Sequence, residues 1–292
     1  LEFSQLLKLA PSKELQARSE VRALPEASRR EDEFKDLIAR EQERLLAFFG
    51  KEIHIPTLPE GITADMIKDW ETKRFKLEYW PREDMREDKN FPGWKHKPGR
   101  KFTPGQQYGI EFYGERDRIK NLPDNKQNAH LNGLSPTELP GAWVLRDTRP
   151  KPNYQHGNQS YEDDALIQGT LQILVQKGIL NREAVDSKRN NIDPKVFKKQ
   201  EFWDELKLAL GVDKIPGAVA RLPRVIEANV MGHGTDFHGT NTWEWCEEYY
   251  QSGGRVVSGR SDHGGASRVG WHDDAHGGAG FRPLIIFPSR RA

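Results

Sequence analysis

The segment Ser258–Gly280 constrains the fold of this chain most, because it can contribute little to a hydrophobic core. It contains no Lys, Glu, Gln, Leu, Ile or Phe, although the rest of the 292-residue chain uses all six freely. Its many glycines disfavour a helix, and without large aliphatic side chains the segment buries little apolar area. We therefore expect it to be irregular and exposed, held between fixed elements on either side.

The rest of the chain has enough large side chains to build a core around this segment. Hydrophobic residues are only 35% of the total, but eight Trp, 13 Phe and seven Tyr compensate because each buries a large area. Basic and acidic residues number 45 and 44, and a net charge of +1 argues against general nucleic-acid binding. The sequence shows neither an apolar run near the roughly 20 residues of a membrane helix nor a signal-peptide pattern.

Residues 1–50 are predicted to be a charged helical segment. Ser28 and Glu31 have the spacing of a capping box. Apolar residues between Phe34 and Phe49 then recur on one helical face, and Gly50 ends the helix. Two interpretations stay open: the helix docks on its own domain, or it is an oligomerisation arm.

Residues 51–292 are predicted to form one α+β domain. Strands are indicated at 75–79, where apolar and charged residues alternate, at 141–148, and at the apolar run Leu284–Phe287. Helices are indicated at 161–177, at 194–210 and after Pro223. Residues 81–141 are rich in Pro, Gly and Asn, and we expect long loops there, pinned by single aromatic residues.

Histidine is concentrated late in the chain, where five of the nine lie after residue 232. The stretch His272–His276 offers two imidazoles and two carboxylates, which a divalent metal could bind. The neighbouring Gly270, Gly277 and Gly278 disfavour the helix that would bring both rings to one face. The favoured interpretation is therefore exposed polar loop groups and no metal site.

The stretch 243–249 reads as a strand that contains the single cysteine. Cys246 is predicted to be a small packing residue, because the neighbouring carboxylates raise the pKa of a thiol and disfavour the reactive thiolate. One cysteine also permits neither an intramolecular disulfide nor a cysteine zinc cluster. Trp243 and Trp245 are predicted to be core anchors, with a stacking platform for sugars or bases as the alternative.

The order of motifs in the last part of the chain resembles a known family. "RLP" (221–223), "TNTWEWCEEYY" (240–250), "GGRVVSG" (253–259) and "GFRPLII" (280–286) follow one another. This is similar to the formylglycine-generating-enzyme branch of the C-type lectin fold, which has W-E-W and G-F-R elements in this order. The resemblance covers roughly the last 75 residues. Here Thr242 replaces the usual Val, and "SGRSD" replaces G-G-S-W.

The resemblance implies one of two functions. The formylglycine-forming oxidase holds copper with a pair of cysteines, whereas this chain has only Cys246. The other subfamily comprises the variable proteins of diversity-generating retroelements, in which the stretch before G-F-R is rewritten at adenines. From the Asn codon AAC, such changes cannot produce Lys, Glu, Gln, Met or Trp. Every residue of Ser258–Gly280 except Trp271 can be reached, which favours the second function.

The sequence therefore predicts an α+β, C-type lectin-like fold with insertions, preceded by the helical segment. Its variable region would span about 255–282, and it would bind a protein or a cell-surface glycan without catalysis or a cofactor. The predicted contact residues are Arg260, Asp262, His263, Ser267, Arg268, His272, Asp273, Asp274 and His276. The predicted scaffold residues are Trp243, Trp245, Phe281 and Arg282, where Arg282 would bond to backbone carbonyls or to Glu244.

Two alternatives remain. A metal oxidase on this scaffold could take ligands from His233, His238 and His272, and a fixed-site module could bind carbohydrate or nucleic acid. The residues alone assign no location or oligomeric state. The resemblance implies display on a virion or cell surface.

Overall fold

The computed structural model describes 33–85, 89, 91–93, 137–149, 154–155, 158–159, 164–182, 192, 194–234, 243–249, 255–259, 268–272, 279–280 and 282–288. For 154–155, 158–159, 229, 232–234, 259 and 268–272 the backbone alone is described. The chain separates into two compact units, Leu1–Arg40 and Glu41–Ala292. Of the first unit, the structure describes 33–40, which hold the beginning of the first helix.

Helices and strands are both well represented, which confirms the α+β class. The described α-helices are α1 (Lys35–Phe49), α2 (Ala64–Thr72), α3 (Ala165–Gln176), α4 (Gln200–Ala209) and α5 (Val225–Gly234), with a 3₁₀-helix at Pro194–Lys198. The strands are β1 (Phe75–Trp80), β2 (Ala142–Asp147), β3 (Tyr154–Gln155), β4 (Asn158–Gln159), β5 (Val219–Arg221), β6 (Trp243–Tyr249), β7 (Arg255–Gly259), β8 (Arg268–His272), β9 (Ala279–Gly280) and β10 (Leu284–Phe287). Within the described ranges, no helix is both long and apolar enough to cross a bilayer.

The first sheet has the strand order β1-β2-β10-β5 and is antiparallel throughout. Its strand β10 comes from the end of the chain and pairs with β2 on one side and β5 on the other. All four residues of β10 are buried, as the continuous apolar run predicted. Helix α2 packs against β1, and Trp70 of α2 stacks on Phe287 with ring centroids 6.0 Å apart.

The second sheet has the order β8-β7-β6-β9. Strands β6, β7 and β8 pair antiparallel, whereas β9 is parallel to β6. Helix α5 packs on β6 and β7, and β3 and β4 form a separate two-stranded hairpin. The last 50 residues thus build this sheet and then return β10 to the first sheet.

The second half of α1 belongs to the Glu41–Ala292 unit and packs within it, which agrees with the interpretation that the helix docks on its own domain. Leu45, Phe48 and Phe49 are buried, and the rings of Phe48 and Phe49 pack around Phe91. Gly50 follows with a φ of 69°, a left-handed conformation that ends the helix at the predicted residue.

Helix α1 also covers the free edge of the first sheet. Glu41 accepts a hydrogen bond of 3.0 Å from the backbone N–H of Tyr79, and Arg44 donates one of 2.7 Å to the carbonyl of Tyr79. Tyr79 lies on β1, the edge strand beside α1. Edge strands expose unpaired backbone groups that can pair with strands of other chains. The bonds from Glu41 and Arg44 occupy the backbone groups of Tyr79 and so protect this edge.

Two predicted helices have different bounds in the structure. Helix α3 begins after Asp164 rather than at Tyr161, because the Asp164 carboxylate caps the backbone N–H of Ile167. The predicted helix 194–210 is divided into the 3₁₀-helix and α4 at Lys199, whose backbone is extended. The break allows Trp203 to donate a hydrogen bond of 3.0 Å to the carbonyl of Phe197.

The alternating pattern of β1 predicted that the charged residues, Glu78 among them, face solvent, and this prediction is wrong at Glu78. This carboxylate is 1% exposed and forms a bidentate ion pair with Arg146 of β2, with both distances 2.8 Å. Burial alone would raise the pKa of Glu78, but the Arg146 charge and hydrogen bonds hold it well below its ordinary value. A charged residue can therefore occupy a core position because its partner lies on the neighbouring strand.

Candidate binding surface

One end of the second sheet brings together the residues that border the predicted variable segment. Backbone pairing aligns Arg268 of β8, Gly259 of β7, Trp243 of β6 and Ala279 of β9 in a single row across all four strands. We call these four residues the terminal row. The connection 260–267 leaves β7 and enters β8 at this row, and the connection 273–278 leads into it at Ala279.

Most of the predicted contact residues lie outside the described residues. These are Arg260, Asp262, His263, Ser267, Asp273, Asp274 and His276. The predicted scaffold residue Phe281 also lies outside the described residues. Arg268 and His272 are the first and last residues of β8. Their backbones pair with Gly259 and Arg255 respectively.

The expectation of an irregular, exposed segment over Ser258–Gly280 is wrong where the segment forms strands, and the predicted variable region, about 255–282, is buried where it begins. Arg255, Val256, Val257 and Ser258 lie in β7 and are at most 4% exposed, and 268–272 form β8. A strand ladder uses backbone N–H and C=O groups, which every residue except proline supplies. Strands can therefore form even where the side chains differ from copy to copy. The glycine-rich composition gave no indication of these strands.

Arg282 joins the segment to the scaffold as predicted. Its Nε donates to a carboxylate oxygen of Glu244 on β6, and its Nη1 donates to the backbone carbonyl of Arg149. Arg282 is 2% exposed, so these charge-assisted bonds lie away from solvent. Arg149 in turn pairs with Asp147 and Asp164, which connects β2 and the N-terminus of α3 to the same cluster.

A second buried contact fixes helix α5 to β6. Both carboxylate oxygens of Glu248 lie 3.0 Å from the backbone nitrogen of Val225, the first residue of α5. Burial raises the pKa of Glu248 to about 7, against the opposing effects of this N–H and of the Arg224 charge. The first turn of the helix is thus capped by a side chain from the sheet on which it packs.

Glu227, also in α5, has the opposite electrostatic balance. Burial would raise its pKa, but Arg221 and Arg224 lower it to about 2. Arg221 holds it with two bonds of 2.7 Å, and Arg224 donates to it from both backbone and side chain. This group ties β5, and therefore the first sheet, to α5 beneath the second sheet.

Cys246 is a packing residue, as predicted. It is fully buried in β6, and burial together with the charges of Glu248 and Glu244 raises the pKa of its thiol well above the ordinary value. The thiol therefore stays protonated near neutral pH, and the reactive thiolate is not available.

The two tryptophans of β6 differ in burial, although both were predicted to be core anchors. Trp245 is 1% exposed and belongs to the core. Trp243, two residues earlier on the same face of the strand, is only partly buried. Trp243 lies in the terminal row, which is the last row of this sheet that the structure describes.

Sequence reasoning missed the buried charges that build this frame. Arg224, Glu227 and Glu248 were assigned no role, and Arg255 was placed in the variable region, yet all four are at most 4% exposed. The Arg255 guanidinium lies 4.4 Å above the ring of Tyr249 and donates 2.9 Å to the carbonyl of Cys246. A signal was present: Arg224 precedes Glu227 by three residues, a helical spacing, directly after Pro223.

The described part of the chain brings no three His, Cys, Asp or Glu side chains together in a way that could hold a metal ion. The side chains of His233, His238 and His272, which the oxidase alternative would need, lie outside those described. Comparisons of the chain with protein-family models, with curated proteins and with solved structures found no match.

Proposed function

We propose that this chain binds a ligand through a diversified C-terminal surface, as the variable protein of a diversity-generating retroelement with a C-type lectin-like fold of the formylglycine-generating-enzyme type. The ligand is a protein or a cell-surface glycan. The contact residues are Arg260, Asp262, His263, Ser267, Arg268, His272, Asp273, Asp274 and His276. The proposal includes no catalytic residue and no cofactor, and display on a virion or cell surface follows from the resemblance.

The observation that carries the proposal is a frame of buried contacts whose named residues all lie outside Ser258–Gly280. The frame is fastened by Glu244, Arg282 and the Arg149 carbonyl, and by Glu248 at the N-terminus of α5. None of these contacts uses a proposed contact side chain. A surface that changes from copy to copy needs this arrangement, because a core or capping residue cannot be replaced freely.

The sequence of the segment supports the same division. Every residue of Ser258–Gly280 except Trp271 can be reached from an AAC codon by substitution at adenines. Pairing of β7 with β8 depends on the backbone, and the connection 260–267 joins Gly259 to Arg268, which pair with each other at one end of the ladder. Loops that project from a rigid scaffold are the usual place for recognition.

A stability experiment tests whether the frame is independent of the contact side chains. The free energy of unfolding of the triple variant Asp262→Ala, His263→Ala, Ser267→Ala should lie within about 1 kcal/mol of the wild-type value, because the proposal gives these side chains no part in the frame. The control variant Arg282→Ala should lose about 3–5 kcal/mol, since it leaves the Glu244 carboxylate buried without its guanidinium partner. Urea unfolding followed by tryptophan fluorescence measures both. A triple variant that is as unstable as the control would contradict the proposal.

The flanking DNA tests diversification itself. We expect a near-identical template repeat, differing from the coding copy at adenines, beside a reverse transcriptase gene. A sequenced locus without these features would remove the retroelement from the proposal. Stoichiometric copper or iron in the purified protein would instead favour the oxidase alternative.

A further inference from the structure

We infer that Trp243 is a fixed stacking contact for a sugar ring at the base of the proposed binding surface, an inference that rests on the proposed function. The first observation is its exposure. The five other tryptophans whose side chains the structure describes are at most 5% exposed: Trp70, Trp80, Trp143, Trp203 and Trp245. Trp243 alone among these six is only partly buried.

The second observation is the absence of bulk beside Trp243 in the terminal row. Its cross-strand partners are Gly259 on β7 and Ala279 on β9. Directly paired residues project their side chains from the same face of a sheet, so they are the nearest lateral neighbours of the indole. A glycine supplies no side chain and an alanine only a methyl group, so neither residue covers the flanks of the ring.

The third observation is the place of Trp243 in the chain. It lies outside Ser258–Gly280, and its Trp codon cannot arise from AAC by adenine substitution. It nevertheless lies in the row at which 260–267 begins and at which 273–278, which follows the opposite end of β8, reaches β9. Trp243 can therefore give every copy of the protein the same apolar contact, while the segment supplies the contacts that differ.

The surrounding chemistry favours a sugar over a nucleobase. Binding of nucleic acid depends on basic side chains that neutralise phosphates. Arg224, Arg255 and Arg282 are at most 4% exposed, and they bond to carboxylates, a tyrosine hydroxyl or backbone carbonyls of the chain itself. These three arginines are not available to phosphates. In Ser258–Gly280 the two arginines are outnumbered by three aspartates, and the net charge of the whole chain is only +1.

The segment also favours a sugar over a protein ligand. Ser258–Gly280 contains no Leu, Ile, Phe, Met or Tyr, whereas the centres of protein interfaces are apolar and rich in aromatic residues. It is rich instead in Asp, His, Ser and Arg, which donate to and accept from hydroxyl groups. A sugar presents hydroxyls around its rim and an apolar C–H face to an indole, which matches one tryptophan in a polar surface.

A printed glycan array, probed with the full chain, tests the inference. The wild type should bind a set of glycans, and Trp243→Ala should bind them at least about tenfold more weakly, as expected for a hot-spot aromatic residue. Trp243→Phe, which keeps a ring, should retain part of the affinity. Leu208→Ala removes an apolar side chain that is 57% exposed on α4 and should bind as the wild type does.

A measurement on the wild-type protein tests the same contact without the risk that a variant loses binding because it misfolds. N-bromosuccinimide oxidises accessible indoles, and the free sugar of the best-binding glycan should protect the peptide that contains Trp243, as read by mass spectrometry. A wild type that binds no glycan, or a bound sugar that leaves Trp243 equally reactive, would overturn the inference.

The same array separates this inference from the proposed function. Glycan binding that is lost in Trp243→Ala but unchanged in the triple variant at Asp262, His263 and Ser267 would support the stacking role and count against recognition by the segment. Binding of a purified protein ligand that depends on the segment, with no glycan bound, would leave the proposed function standing and reject the sugar.

Discussion

At the scale of single residues, Glu227 and Glu248 show how neighbours decide the charge of a buried carboxyl group. Both are at most 2% exposed and both contact the beginning of α5. Two arginines surround Glu227 and lower its pKa to about 2, whereas burial prevails at Glu248 and raises its pKa to about 7. The two groups therefore make opposite contributions to stability as the pH changes.

The raised pKa of Glu248 predicts a loss of stability on approaching neutral pH. The folded state holds a proton that the unfolded state releases near pH 4.5, so this contribution is complete below that pH and is lost as the pH rises through about 7. The free energy of unfolding should fall by on the order of 2 kcal/mol from this source. Urea unfolding at pH 5, 6, 7 and 8 measures it.

Glu248→Gln should abolish this decrease, because glutamine can still accept the Val225 N–H bond and does not titrate. Glu52→Gln, at an exposed position, is the control and should keep the wild-type slope. Cys246 titrates at higher pH, and Glu227 acts as the pH falls from about 4.5 to about 2, so neither masks the interval. Equal slopes in Glu248→Gln and the wild type would contradict the assignment.

The role of a single residue could be predicted where a motif or the neighbouring residues in the sequence were sufficient to indicate it. The Arg282–Glu244 bond and the inert Cys246 followed from motif order and from neighbouring charges. Glu78 was not predictable, because its partner Arg146 is 68 positions away in the sequence and alternation alone places a glutamate in solvent. A buried ion pair between strands becomes visible only after their register is known.

At the scale of elements, α4 begins without the usual side-chain cap. Its N-cap residue is Lys199, which forms no capping hydrogen bond and places a positive charge at the positive end of the helix dipole. By contrast, Thr63 caps α2 and Asp164 caps α3 through their side chains. Lys199 is therefore a position at which stability can be gained.

Lys199→Asp should stabilise the protein by about 1 kcal/mol, because aspartate accepts backbone N–H bonds at the N-cap and complements the dipole. The melting temperature, followed by circular dichroism, should rise by about 2–4 °C for a chain of this size. Lys214→Asp makes the same charge change at an exposed site outside a helix. A rise of equal size in this control would show that overall charge, and not capping, is responsible.

Element types were predictable from periodicity, and some of their bounds were not. Apolar repeats and Gly50 defined the C-terminal end of α1, and the apolar run defined β10. The beginning of α3 depended on which acidic residue caps it, and the break at Lys199 depended on Trp203 reaching the Phe197 carbonyl. Both are short-range contacts that depend on which side chain reaches a backbone group, and periodicity does not show this. The pairing of β7 with β8 was not predicted because it depends on backbone groups, which side-chain composition does not show.

At the scale of the whole molecule, the last strand is placed at the centre of the first sheet. β10 separates β2 from β5, so this sheet is completed only by residues 284–287. The topology could not be read from the sequence, since an apolar run predicts burial but does not identify the partner strands. Such distant pairing also predicts slow folding.

Deleting 282–292 should therefore abolish cooperative unfolding, because β2 and β5 lose their common partner and Glu244 loses Arg282. Differential scanning calorimetry should show no sharp transition. The control deletes 289–292 alone, keeps β10 and should melt as the full chain does. A cooperative transition in the larger deletion would show that the first sheet is stable without β10.

The central position of β10 affects which copies of the gene can give a folded protein. If Ser258–Gly280 is rewritten as proposed, an insertion or deletion of one nucleotide there shifts the reading frame of Leu284–Phe287. Such a product lacks the strand that joins β2 to β5, and an unfolded chain is open to proteases. Under that proposal the fold would select for the correct reading frame in each new copy, because chains with amino-acid replacements would fold whereas frameshifted chains would be degraded.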